Sequence, residues 1–157
     1  TSVRARPVLV ACAAALVAVV AAPSAIADTN LSGRTSQGRP VTIVVGTDGK
    51  VRSVRISWST TLCRRRGVRM RGATTFRPPF DVNQANHLEG TRDHTARQGR
   101  LRSLVKANFA ADRTPDPANP AAPGTWSGTI SGGLEVRRRG RLVNDCALRV
   151  IRWTAAP

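Results

Sequence analysis

Residues 40–63 read PVTIVVGTDGKVRSVRISWSTTLC, and this stretch decides the fold. Val41, Ile43 and Val45 alternate with Thr42 and Val44, the period of a β-strand. Gly46-Thr47-Asp48-Gly49 follows, and Asp-Gly favours a turn that needs positive φ. Val54, Ile56 and Trp58 then alternate with Ser53, Arg55, Ser57 and Ser59. One face is apolar and the other polar, as in an antiparallel strand with one wet side. The stretch is therefore a hairpin, and it ends on a cysteine.

Working outward, the same period recurs. Asn30 to Thr35 reads as a short first strand. After Cys63 and Arg64-Arg65-Arg66, residues 68–74 alternate with an arginine-rich outer face, until Pro78-Pro79 breaks the pattern. Residues 87–94 read as a polar strand at a sheet edge. Leu101, Val105, Ala107 and Phe109 share one face, with Arg100, Arg102, Lys106 and Asn108 on the other. Pro115, Pro117, Pro120 and Pro123 make residues 112–124 a long extended loop between neighbouring strands. Trp126, Gly128, Ile130, Gly132, Leu134 and Val136 mark another half-buried strand, Arg137 to Arg141 a charged turn, and Cys146 to Thr154 the last strand. Trp58 and Trp126 lie on apolar faces. Trp153 has the opposite parity to Leu148 and Val150, which leaves it facing either way. Seven to nine strands without a helix predict an all-β fold: an antiparallel β-sandwich or a partly closed barrel.

The N-terminal segment has a different character. Arg4 and Arg6 precede an Ala/Val-rich run from Val8 to Ala22, and Ala25-Ile26-Ala27 is a small-residue cleavage pattern. These are the parts of a secretory signal peptide covering residues 1–27. The run of 15 residues is shorter than the ~20 a spanning helix needs. Leu9-Val10-Ala11-Cys12 fits a lipoprotein pattern loosely, but ten apolar residues follow the cysteine. The reading is a secreted domain of residues 28–157, with no transmembrane segment after cleavage.

Cys12 leaves with the leader, so Cys63 and Cys146 form an even pair in an exported chain. A disulfide is the expectation. Closing so long a loop contributes about 4.5 kcal/mol in the chain-entropy picture.

The formal net charge is +16, from 25 Lys and Arg against nine Asp and Glu, and the leader accounts for only two of the positive charges. A composition rich in Arg, Ala, Gly and Pro follows from GC-rich coding, which is the plain account of the arginines. The sharper account is an anionic partner, since such a charge generates an attractive field. The disulfide would draw Arg64, Arg65 and Arg66 toward Cys146. Arg137, Arg138, Arg139 and Arg141 lie within about 17–30 Å of it along the strand. These seven arginines are the candidate anion-binding residues, suited to phosphate or carboxylate polymers of the cell surface. Export argues against nucleic acid as the partner, as does the scarcity of stacking rings: three Trp, three Phe and no Tyr.

His87, Glu89, Asp93 and His94 form the one ligand-like cluster. His87, Glu89 and Asp93 share a strand face and His94 points away. Without a third histidine or cysteine the cluster reads as a polar edge, and no metal or cofactor is assigned. No catalytic residue is assigned either, since no serine-nucleophile motif accompanies the histidines.

Gly33 to Gly38, the hairpin ending in Trp58 and Cys63, Gly124-Thr125-Trp126-Ser127-Gly128, Cys146 and Trp153-Thr154-Ala155 together carry a resemblance. The chain resembles uncharacterised secreted β-domains of high-GC Gram-positive bacteria, which have no assigned activity. The resemblance implies export and an all-β fold and carries over no functional residue. The functional expectation is a secreted or envelope-associated, non-enzymatic binding module. Its alternative is a small secreted enzyme or enzyme inhibitor with a site in residues 76–97 or 112–124. A cleft holding a histidine and an acid would favour the enzyme, and a wholly basic face the binder.

Overall fold

The computed structural model describes residues 27–66, 69–84 and 86–157. The expected leader, Cys12 included, lies outside the described residues up to residue 26, as does Val68. The strands, in chain order, are β1 Thr29–Thr35, β2 Pro40–Val45, β3 Val51–Ser59, β4 Leu62–Cys63, β5 Arg71–Phe76, β6 Asp81–Gln84, β7 His87–Gln98, β8 Leu101–Thr114, β9 Thr125–Arg138 and β10 Arg141–Ala156.

The strands meander up and down in a single antiparallel sheet, ordered β5-β3-β2-β1-β10-β9-β8-β7-β6, with β4 added to β10. β1 pairs with β10 inside this order, so the first and last strands meet, and the sheet curls until β5 lies against β7. Of the two forms allowed by the sequence, this is the nearly closed barrel. The opening hairpin forms as its pattern requires: Val41 faces Ile56 and Val45 faces Val51 across the ladder. Gly49 takes φ 74° at the turn.

Between β5 and β7, one seam of the barrel has no backbone pairing among the described residues. The chain from Arg71 to Gln84 begins hydrogen-bonded to β3 and, after the Pro78-Pro79 break, continues hydrogen-bonded to β7. It thus switches partners midway, as strands do at sheet corners. Side chains bridge the remaining gap. Trp58 Nε1 donates to Thr74 Oγ1 at 2.9 Å, and Thr74 Oγ1 meets His94 Nε2 at 2.9 Å. Arg71 N donates to Gln98 Oε1 at 3.0 Å. Beneath the switch all three phenylalanines gather, with Phe109 at 4.4 Å from Phe76 and 5.6 Å from Phe80 between ring centres.

The barrel interior is packed with side chains. Leu31, Ile43, Ile56, Met70, Val105 and Ile130 are fully buried. Trp58 and Trp126 are buried as their faces predict. Trp153 is buried too, because the β9–β10 register shifts between Leu148 and Ile151. That bulge turns Val150 outward and restores Trp153 to the core. Trp58 and Trp153 each lie against a glycine: a Cβ on Gly72 would come within 2.7 Å of Trp58, and one on Gly128 within 2.7 Å of Trp153.

The disulfide joins β4 to β10 directly, with Cα atoms of Cys63 and Cys146 4.0 Å apart and facing each other in register. β4 and the residues around it pair with the edge of β10 over Asp145 to Ala147, beyond the stretch paired with β1. An otherwise open strand edge is therefore covered.

Candidate functional site

An up-and-down barrel has two ends, and alternating connections belong to each. At one end lie the β1–β2 turn, the β3–β5 connection with β4, and the β7–β8 and β9–β10 hairpins. At the other lie the β2–β3 turn, the β6–β7 turn and the long β8–β9 loop.

The first end is basic. The β3–β5 connection carries Arg64, Arg65, Arg66 and Arg69, and Arg71 opens β5. The β7–β8 hairpin carries Arg97, Arg100 and Arg102. The β9–β10 hairpin carries Arg137, Arg138, Arg139 and Arg141, while Arg34 and Arg39 flank the β1–β2 turn. Twelve of the 25 Lys and Arg residues stand on the β3–β5 connection, the start of β5 and the β7–β8 and β9–β10 hairpins, and the nearest acids are Glu135 and Asp145. Six of the nine acids, Asp28, Asp48, Asp81, Glu89, Asp112 and Asp116, belong to the opposite end.

The two predicted arginine runs do meet on one end. Arg64 N donates to Asp145 O at 2.8 Å, and Arg65 N to Asn144 Oδ1 at 2.8 Å. Asn144 Nδ2 returns a bond to Arg65 O at 3.1 Å. Asn144 faces Val136 on its other side, so the β3–β5 run lies across β10 from the approach to the β9–β10 hairpin. A buried asparagine thus fixes the first run beside the second.

Arg97, Arg100 and Arg102 were not singled out from the sequence. The available signal was Gly99 as a two-residue turn: it takes φ 58° between strands that pair in full register. That hairpin places Arg97 opposite Arg102, and β8–β9 pairing places Arg102 opposite Arg137. Arg102, Leu104, Arg137 and Arg139 line an outward groove of about 470 Å³ together with Thr95 and Gly140. Arg137 Nη2 donates to Glu135 Oε2 at 2.8 Å. Arg102 and Arg139 have no side-chain hydrogen bond or ion pair among the described residues.

The histidines occupy two different settings. His94 faces inward and bonds Thr74 at the seam. His87 stands at the acidic end, opposite Asp112 in register, with Nδ1 in contact with Asp112 Oδ1 and Nε2 3.1 Å from Glu89 Oε1. Its pKa is raised from the usual 6.5, first by the hydrogen bond with Asp112 and then by that with Glu89. Neither histidine lines the groove described above. No group of three or more His, Cys, Asp or Glu among the described residues could hold a metal ion.

At the acidic end, Arg113 fastens the proline-rich loop. Its Nε donates to Pro123 O at 3.0 Å and its Nη2 to Pro120 O at 2.9 Å and to Ala122 O. Trp126 Nε1 also donates to Pro123 O at 3.1 Å. This loop is tied down.

Comparison with protein-family models, curated proteins and solved structures gives no match for this chain.

Proposed function

We propose that the protein is a secreted, envelope-associated, non-enzymatic binding module that holds anionic cell-surface polymers at one end of its barrel. The observation that carries this reading is the segregation of charge. Composition bias enriches a chain in arginine without regard to which turns face the same way. Here the connections that converge on one end carry most of the arginines, and those on the other carry most of the acids. Such a field steers and concentrates polyanions. The setting is consistent: a disulfide suits an oxidising compartment. Five of the six aromatic side chains are buried, which leaves guanidinium groups without exposed stacking rings. Recognition then rests on charge and bidentate hydrogen bonding, which arginine offers to carboxylate and phosphate alike.

The test is sedimentation or titration of the mature protein against polygalacturonate, inorganic polyphosphate and uncharged dextran. The expected result is binding to a charged polymer and none to dextran. That binding should weaken steeply as salt shortens the screening length from about 10 Å at 0.1 M to about 3 Å at 1 M. Absence of binding to both charged polymers, or equal binding to dextran, defeats the reading.

A further inference from the structure

We infer that the basic end holds a specific site, a transverse row formed by Arg97, Arg102 and Arg137. Its ligand class is a linear polyanion lying across β7, β8 and β9. The inference rests on the polymer-binding reading above and names where, and in what orientation, the polymer lies.

Two departures from ordinary β-sheet chemistry point to this place. First, Arg102 stands directly opposite Arg97 on one side and Arg137 on the other. All three are exposed, on the faces opposite buried Ser103 and Val136. Like charges opposed across a ladder destabilise a sheet. Glu135 compensates Arg137, but nothing among the described residues compensates Arg102. Second, the β9–β10 turn is the pair Arg139-Gly140, with φ 48° and 80°. A two-residue turn with positive φ at both positions favours Asn-Gly or Asp-Gly. An arginine there is a departure from turn chemistry, and Arg139 lines the same groove as Arg102 and Arg137. Local rules broken together at one place mark function.

The row has a repeat. Adjacent strands lie about 4.8 Å apart, so three guanidinium stems project at that interval. A polymer with an anionic group roughly every 5 Å could engage the stems in succession. A ligand with a single anionic group can engage only one. Arg139 stands at the hairpin tip beyond the row, beside the groove along which the polymer would run.

The experiment titrates the mature protein at fixed low salt with inorganic polyphosphate, oligogalacturonate and orthophosphate. It uses wild type, Arg102→Gln and, as a same-end control, Arg65→Gln. The two polymers separate phosphate from carboxylate chemistry. Wild type is expected to bind at least one polymer and to show no saturable binding of orthophosphate. Arg102→Gln is expected to weaken polymer binding at least tenfold, and Arg65→Gln less than threefold. Without polymer, Arg102→Gln is expected to melt at the same temperature as wild type or higher, because a repulsion has been removed. An arginine serving the fold would give the opposite shift, so a lower melting temperature overturns the inference. Equal weakening by the two variants also overturns it while leaving polymer binding intact. Failure of wild type to bind either polymer removes both readings together.

Discussion

Thr74 shows how much a single hydroxyl can determine in this barrel. It is fully buried, accepts the Trp58 indole N–H and meets His94 across the seam. Thr74→Val keeps the shape and deletes both bonds, leaving the Trp58 donor buried without a partner. Such a group costs about 1–3 kcal/mol. Denaturant unfolding should therefore show a lowered midpoint with an unchanged m-value, and an unchanged midpoint would mean that the bridge is incidental. His87 supplies a second residue-scale expectation. Its folded pKa is raised above the usual 6.5 by Asp112 and Glu89. A raised pKa means the protonated form is favoured in the fold. Its contribution to stability is fully present below about 6.5 and fades as pH rises through the higher folded value. An NMR titration of His87 should give a midpoint above 6.5, and His87→Asn should abolish this pH dependence. A midpoint at or below 6.5 would contradict the geometry of the pair. Residue orientation was legible wherever strands run regularly, as for Trp58 and Trp126. Trp153 was not, because a bulge changes parity without leaving a mark in the hydrophobic pattern.

At the scale of elements, the hairpin of β2 and β3 was legible because propensity, alternation and turn chemistry agree there. The proline break after Phe76 was legible as an interruption. Its consequence was not. That the chain continues beyond it on a different partner depends on β7 arriving from the far side of the barrel, a contact that no local pattern encodes. The disulfide acts on a comparable long-range pairing. β4 is only two residues long, yet it covers the edge of β10 with Cys63 facing Cys146. Replacing either cysteine by serine should lower unfolding stability by about 2–5 kcal/mol. Residues 28–157 of the oxidised native protein should also contain no reactive thiol. Retention of full stability on substitution, or two titratable thiols in the native protein, would place the closure in the sheet alone.

For the whole molecule, the arginine runs were legible as runs, but their meeting place was set by the topology. The cysteine pair links Arg64–Arg66 to Arg137–Arg141 in the sequence, but Arg97, Arg100 and Arg102 reach the same end only because β7, β8, β9 and β10 alternate in direction. The structure also decides which arginines make fair controls. Arg113 holds the proline-rich loop, and Arg34 holds the β1–β2 turn, with its Nη1 bonded to Gly38 O at 3.1 Å. Changing either would confuse charge with structure. Lys50 in the β2–β3 turn, Arg77 after β5 and Arg92 on β7 carry the same charge away from the turns of the basic end, and none has a side-chain hydrogen bond or ion pair among the described residues. The decisive comparison is therefore Arg137, Arg138 and Arg139 to Glu against Lys50, Arg77 and Arg92 to Glu. Both triple variants lower net charge equally, so a long-range field acting on a distant polymer changes by a similar amount in each. If the basic end is the contact surface, the first variant should lose most of its affinity for an acidic polymer at low salt. The second should keep most of it, because close charge pairs act more strongly than charges more than a screening length of about 10 Å away. Thermal melts of both variants establish that the barrel is intact. Equal losses would make the attraction a diffuse property of an arginine-rich surface, and coding bias would then be a sufficient account of the arginines.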